Sequence, residues 1–176
     1  FQFENAVLKG IQEQPSRLQV CADVVDRDLG EVLGQAYVEK YFPAEAKRRM
    51  NGMVENLRAV MREELEHSEW MQPETKQNAI RKLDSVRVKI GYPDRWQDYS
   101  ALQIHRRTYF QNIRAAWTHS QQIEIARIGK PVDRTVWFMT PPTVNAYSLS
   151  ESVEVVFPAG ILQPPFCDME GDGAAN

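Results

Sequence analysis

The stretch that most constrains this chain is VFPAGILQPPF at residues 156–166, an uncharged segment that contains three prolines. Proline removes a backbone donor and clashes inside a helix, and it is poorly tolerated in a central strand. In a chain with 26% charged residues, the segment therefore predicts a stiff, apolar and irregular path.

Before this stretch, apolar residues recur at intervals of three and four and predict three helices. The first begins at a capping box of Ser16 and Gln19 and ends near Phe42; the third begins at Pro73 and ends near Leu83. The apolar stripe of the first comprises Leu18, Cys21, Val25, Leu29, Val32, Ala36 and Tyr37. The stripe of the second, interpreted as core packing rather than as an adaptable peptide-binding face, comprises Met50, Met53, Val54, Leu57, Val60, Met61 and Leu65.

The hydrophobic period then changes along the chain. Alternation at residues 86–90 predicts a short strand whose wet face carries Arg87 and Lys89. A capping box of Ser100 and Gln103 predicts a long helix that ends near Gly129. Strands at 143–147 and 153–157, joined by a polar turn, predict a loose hairpin. The fold class is therefore mainly α: long packed helices, one short strand and a C-terminal β-hairpin with an edge strand.

Composition excludes several classes of function. The net charge of −3 gives no electrostatic footprint for nucleic acid, and the sequence contains no run of 18 apolar residues that could span a membrane. Two cysteines make neither a disulfide framework nor a zinc pattern. No phosphate-binding glycine loop and no nucleophile motif is present, so the chain by itself contains no complete catalytic site.

The three histidines do not predict a metal site. Glu64 and His67 have the spacing used in di-iron bundles, but that site needs a second copy in a facing helix, so we interpret this pair as a solvated helix end. His105 and His119 are fourteen residues apart on the predicted helix, about 21 Å at the rise of an α-helix. They cannot share an ion.

Several motifs resemble one known family. VNAY at residues 144–147 and FPAGILQPPF at 157–166 are similar to the signature of the neprilysin and endothelin-converting-enzyme family of zinc metallopeptidases. Earlier motifs also match those of the family in the same order along the chain. They are the Gly-x-x-Tyr-Val pattern of Gly34–Val38, KIGYPD at 89–94 and PVDR at 131–134. The similarity runs from about Arg17 to the end of the chain.

The resemblance implies a zinc endopeptidase of oligopeptides that cleaves on the amino side of large apolar residues. In the family, a helix with His-Glu-x-x-His follows this signature and binds zinc through its histidines. We therefore expect a fragment that ends before a thermolysin-like zinc domain, with the zinc ligands downstream of Asn176 and no catalytic or metal-binding residue in this chain. Residues 1–135 would be helical and 136–176 would begin the catalytic domain.

The resemblance also assigns roles to four residues. Asn145 would hold the backbone of a peptide substrate on an edge strand through its side-chain amide, and Ala146 would contribute backbone groups. Ile161 and Phe166 match positions that line an apolar pocket for the residue after the scissile bond; the alternative is that they only pack the core beneath the site.

The hairpin departs from the family pattern at Ser148, Ser150 and Val153, where a tyrosine, a proline and an asparagine are usual. These changes put the turn geometry in question. Cys21 matches a cysteine that pairs further downstream in animal members. Cys167 replaces a residue that is usually aromatic, and we do not expect a bond between the two.

A second hypothesis is a non-catalytic helical module that binds or scaffolds, since the chain lacks His-Glu-x-x-His. With the zinc helix missing, the apolar C-terminal segment would be uncovered, so we expect self-association through it. Peptide substrates are the other expected partners. The resemblance leaves the compartment open, because family members are cell-surface, extracellular, periplasmic or cytosolic.

Overall fold

The computed structural model describes residues 2–168 and 171–172. About half of the chain is helical and the described strands form one small sheet, so the predicted mainly α class with a short strand and a C-terminal hairpin is confirmed. The elements are a π-helical stretch Gln2–Leu8, α1 Arg17–Tyr41, α2 Ala44–His67, α3 Pro73–Ser85, β1 Arg87–Gly91, α4 Tyr109–Arg127, β2 Tyr147–Leu149 and β3 Glu154–Pro158.

Helix α1 begins where the sequence predicts. The Ser16 hydroxyl accepts a hydrogen bond from the Gln19 amide at 3.2 Å, which satisfies one free donor of the first turn. The predicted apolar stripe of α1 is wrong over most of its length, since Leu18 is 81% exposed, but its last member, Tyr37, packs against the core. The buried face instead comprises Gly30, Gly34 and Val38. The two glycines lie inward here because the side chains of Thr140 and Pro141 pack directly against them.

Helix α2 follows the predicted stripe only in its first half. Met50 is buried in the core, with Met53 and Val54 packed beside it. Further along, Leu57 and Met61 are 62% and 52% exposed, so the core-packing interpretation is wrong there. The core cluster covers only the beginning of α2; its members are Val38, Phe42, Ala46, Met50, Ile90, Ala159, Leu162 and Cys167.

Helix α4 begins at Tyr109, not at Ser100. The Ser100 amide donates to the Asp98 carboxylate at 2.8 Å, which closes a local turn in place of a helix start. The side chain of Asn112 then holds the connection, accepting from the His105 amide and donating to the His105 carbonyl at 3.0 and 2.7 Å. A local side-chain turn thus competes successfully with the predicted capping box.

The sheet has the strand order β1-β3-β2. β1 pairs with β3 in parallel, with Arg87 opposite Glu154 and Gly91 opposite Pro158, whereas β2 pairs antiparallel with β3. The hairpin is therefore present, but the predicted first strand at 143–147 is displaced to Tyr147–Leu149. The chain turns just before it, since the Thr143 amide donates to the Thr140 carbonyl at 3.0 Å.

A buried ion pair crosses the parallel strands, so the predicted wet face of β1 is wrong at Lys89. Its ammonium lies 3.1 Å from a carboxylate oxygen of Glu154, whose side chain is only 3% exposed. The same ammonium donates to the Val136 carbonyl at 2.7 Å. Lys89 therefore joins β1, β3 and the segment that precedes the hairpin.

Removal of one charge from this pair leaves the other charge buried and uncompensated. We expect Glu154→Gln to lower the free energy of unfolding by about 3 kcal/mol, measured by urea denaturation. Lys89→Met combined with Glu154→Leu should recover most of that loss. Glu45→Gln, which breaks an exposed pair with Arg48, serves as the control and should cost less than about 1 kcal/mol. Equal stability of Glu154→Gln and the unsubstituted chain would contradict a structural role for the pair.

Candidate functional site

The apolar segment 156–166 is mostly inside the molecule. Val156 and Ala159 are fully covered, Leu162 is 6% exposed, and the Ala159 amide donates to the Gly91 carbonyl at 2.8 Å. The expectation that this segment lies uncovered is therefore wrong for residues 156–162. Pro164, Pro165 and Phe166 are exposed. Self-association through the segment stays a prediction, and these last three residues are the part available for it.

Gly160 passes directly beneath the backbone that leads to the hairpin. Its amide donates to the Pro141 carbonyl at 2.8 Å. A Cβ at this position would lie 2.4 Å from the Pro142 carbonyl oxygen. A larger residue would therefore push the backbone at Gly160 away from the backbone at Pro142. The glycine of the apolar segment therefore joins it to the stretch that carries Asn145.

Asn145 and Ala146 immediately precede β2. Asn145 is exposed, and its side-chain oxygen accepts a hydrogen bond from the Ala146 amide at 2.8 Å. This contact fixes the side chain against its own backbone. The NH₂ group of the exposed side chain remains available as a donor to a ligand. Ala146 is half-buried. Both predicted residues thus lie together at the start of an edge strand rather than within it.

β2 is one of the two edge strands of the described sheet, with β3 as its one sheet neighbour there, and β1 is the other edge strand. The outer side of an edge strand presents backbone donors and acceptors that an extended peptide can pair with. The arrangement can therefore bind peptide backbone without reading its sequence.

The two predicted pocket residues lie in different environments. Ile161 is half-buried and packs against the core cluster, so part of its side chain serves packing. Phe166 is 59% exposed, although it ends a segment that is otherwise largely covered. Their predicted role in one pocket stays a prediction.

Gln163 ties this segment to α1, a role that the sequence reasoning missed. Its side-chain NH₂ donates to the Tyr37 hydroxyl at 2.7 Å and to the Ala159 carbonyl at 3.2 Å. The backbone carbonyl of Gln163 accepts from the backbone amides of Phe166 and Cys167 at 2.9 and 3.0 Å. A single polar side chain within a long apolar segment is the signal that could have revealed it.

Tyr147 anchors the edge strand from its other side. Its hydroxyl accepts from the Phe138 amide at 2.9 Å, and the two rings meet edge to face at 6.1 Å. Burial, and then the nearby charge of Glu154, raise the pKa of Tyr147 above its usual value. The phenol is therefore uncharged at neutral pH and acts as an anchor.

The two cysteines are both free thiols. Cys21 is exposed on α1, whereas Cys167 is buried with its sulfur 3.8 Å from the sulfur of Met50. Burial raises the pKa of Cys167, so the thiol is protonated and packs as an apolar group.

A separate cavity of about 900 Å³ lies between α1 and α4. Its walls mix charged and aromatic side chains, and none of the four predicted site residues lines it. Tyr99 stands in its wall, and burial followed by the charge of Glu31 raises its pKa. Within residues 2–168 and 171–172, no group of three or more His, Cys, Asp or Glu side chains could hold a metal ion. No helix in the same residues is long and apolar enough to span a membrane.

Comparisons with known proteins identify the family of the chain. Residues 1–93 match the family model for the N-terminal part of peptidase family M13. The chain belongs to peptidase family M13. The resemblance to the neprilysin and endothelin-converting-enzyme family is thereby confirmed, and neprilysin of Mus musculus is 30% identical over 177 residues.

Other M13 relatives extend over nearly the whole chain. Human endothelin-converting enzyme-like 1 is 33% identical over 175 residues, which are 96% of this chain and 23% of the relative. The cryo-EM structure of the zinc metalloprotease ZMP1 of Mycobacterium tuberculosis in its open state matches with a TM-score of 0.89 and 40% identity, over 99% of this chain and 27% of ZMP1. ZMP1 in complex with an inhibitor matches with a TM-score of 0.86. The chain thus spans about a quarter of the length of these relatives.

The hairpin turn of this M13 chain contains a strained residue. Val153 has a positive φ of 51°, a conformation in which the side chain of a β-branched residue crowds the backbone. Its amide donates to the Ser150 carbonyl at 3.3 Å, so the turn depends on this conformation. Asparagine, usual here in the family, adopts it at lower cost.

We expect Val153→Asn to raise the free energy of unfolding by about 1 kcal/mol, measured by thermal and urea denaturation. Val153→Thr is the matched control: it adds polarity but keeps the branched Cβ, so it should give no gain. A Val153→Asn variant that is no more stable than Val153→Thr would show that the turn carries no such strain.

Proposed function

We propose that this chain is part of a zinc-dependent metalloendopeptidase and supplies the strand that aligns its peptide substrates. Its helices would form part of a lobe that restricts substrate size. The substrates would be oligopeptides, cleaved on the amino side of large apolar residues. Membership of peptidase family M13 and the 40% identity to a zinc metalloprotease support this proposal.

The observation that carries the proposal is the anchored edge strand. β2 is fixed by pairing with β3 and by the Tyr147 hydroxyl, while Asn145 remains exposed directly before it. A rigid strand with an open outer side holds an extended peptide at little further cost in conformational entropy. This is the geometry expected for binding many sequences through their common backbone.

Phe166 supports the apolar preference of the proposed pocket. An exposed phenylalanine next to two exposed prolines forms an apolar surface at the end of a buried segment. Ile161, by contrast, is already partly engaged by the core. The proposal therefore gives Phe166 the larger share of contact with the side chain after the scissile bond.

Zinc is proposed for the full-length protein because a similar structure is that of a zinc metalloprotease. The described residues hold no suitable group of ligands, so those residues do not fit the ion, and its ligands would lie outside them. The contribution of this chain is to bind and orient the peptide.

Substitution of Asn145 in the full-length peptidase tests the role of the strand. We expect Asn145→Ala to lower kcat/KM for short peptides by about tenfold or more, the value of one to two lost hydrogen bonds. Asn145→Asp keeps the oxygen that binds the Ala146 amide but removes the NH₂ donor, so it should lose a similar factor. Asn51→Ala, an exposed position on α2, is the control. Normal cleavage by both Asn145 variants would contradict the role.

The chain of 176 residues by itself should bind no zinc tightly and hydrolyse no peptide. Isothermal titration with zinc and incubation with a fluorogenic peptide measure both. The full-length protein should cleave the same peptide and lose activity on chelation. A full-length protein without any cleavage would favour the alternative, a non-catalytic helical module.

A further inference from the structure

We propose that one face of α1 positions both halves of the peptide-binding site; this inference rests on the proposed function. The face, called here the docking face, consists of Asp26, Gly30, Gly34 and Tyr37. Gly30, Gly34 and Tyr37 are four and three residues apart and therefore lie along one side of the helix. Asp26 lies before a kink at Leu29 (φ −133°, ψ 30°) and joins the face through its contact with Thr140. The docking face contacts the stretch that leads to Asn145 and the segment that carries Phe166.

The two glycines let the side chains of Thr140 and Pro141 approach α1 closely. A Cβ at Gly30 would lie 2.2 Å from the Thr140 methyl group, and one at Gly34 would lie 2.6 Å from Pro141 Cδ. Pro141 is among the fully buried side chains of the described residues. A rigid, buried proline ring has little freedom to yield, so a methyl group on Gly34 must displace either α1 or residues 140–142.

A polar contact fixes the register between the same two parts. The Thr140 hydroxyl donates to the Asp26 carboxylate at 2.7 Å and lies 3.0 Å from the Thr143 hydroxyl. Asp26 lies just before the kink that precedes Gly30, so the contact fixes the turn at Thr140–Thr143 against the kinked part of α1. This turn directly precedes Asn145.

Tyr37 makes the corresponding contact with the other half of the site. Its hydroxyl accepts a hydrogen bond from the Gln163 side chain at 2.7 Å. The backbone carbonyl of the same Gln163 accepts from the Phe166 amide at 2.9 Å. The position of Phe166 therefore depends on α1 through one hydrogen-bonded residue.

Gly160 links the two halves of the site directly to each other. Its amide donates to the Pro141 carbonyl, so the residue that packs on Gly34 is also bonded to the apolar segment. Displacement of Pro141 would thus move the start of the edge strand and weaken the link to Gly160. The docking face makes Gly34 and Tyr37 positioning residues for a site that neither of them enters.

Hydrogen exchange on this chain tests the docking directly. We expect Gly34→Ala to speed exchange of the Gly160 amide at least tenfold. Gly52→Ala, on α2, is the matched control, because a Cβ there meets nothing within 4 Å. Combining Gly34→Ala with Pro141→Ala removes the ring atoms that clash and should restore slow exchange. Unchanged exchange in Gly34→Ala, or no rescue in the double variant, would overturn the proposal.

Peptide kinetics on the full-length peptidase test the consequence for the site. Tyr37→Phe, which removes only the hydroxyl, should raise KM at least threefold for peptides with a large apolar residue after the scissile bond. For peptides with alanine there, it should change KM less than twofold. An equal change for both peptide classes, or none, would overturn the role of Tyr37. If the unsubstituted full-length protein cleaves neither peptide, the proposed function fails instead, and the exchange experiment still decides whether α1 docks these segments.

Discussion

The parallel pairing of β1 with β3 joins two parts of the chain that are far apart in sequence. Arg87 lies opposite Glu154, and the pairing continues to Gly91 and Pro158. It brings the apolar segment onto Met50 and Ile90, so that helices and C-terminal residues share one core cluster. The proposed division at residue 135 stays a prediction, but both of its parts contribute to this core. Without the pairing, the hairpin would have no sheet to join.

Because the core lies between the helices and the apolar segment, the exposed groups of the candidate site are mounted on a rigid base. Asn145 and Phe166 are exposed, whereas the residues beside them are bonded to α1, β1 and β3. Such an arrangement holds binding groups in place while leaving them accessible. With the proposed docking face of α1, the site would also be sensitive to substitutions that touch no substrate.

Local signals in the sequence predicted much of the fold. The Ser16 cap, the proline at the start of α3 and the alternation in β1 depend on neighbours a few residues away, and they are correct. One error is local, because the Asp98 side chain takes the Ser100 amide and displaces the start of α4. Other errors arise where distant residues decide the outcome. Lys89 reads as exposed, but Glu154 from another strand pairs with it. The α1 stripe reads as Leu18 and its apolar companions, but the segment around Pro141 packs on the glycines instead.

For the candidate site, the sequence by itself determined the family, through motifs that extend along the chain, and with it the four residues expected to bind peptide. It also determined that the proline-rich segment is not a helix, since proline geometry is a local property. The expectation that proline keeps the segment out of a central strand is wrong for residues 156–158, which end β3, the middle strand of the described sheet. The tertiary structure decided which of these residues are accessible and what holds them. Gln163, Tyr37 and Gly34 gained their roles only from packing between segments more than a hundred residues apart, a distance over which periodicity and propensity carry no information.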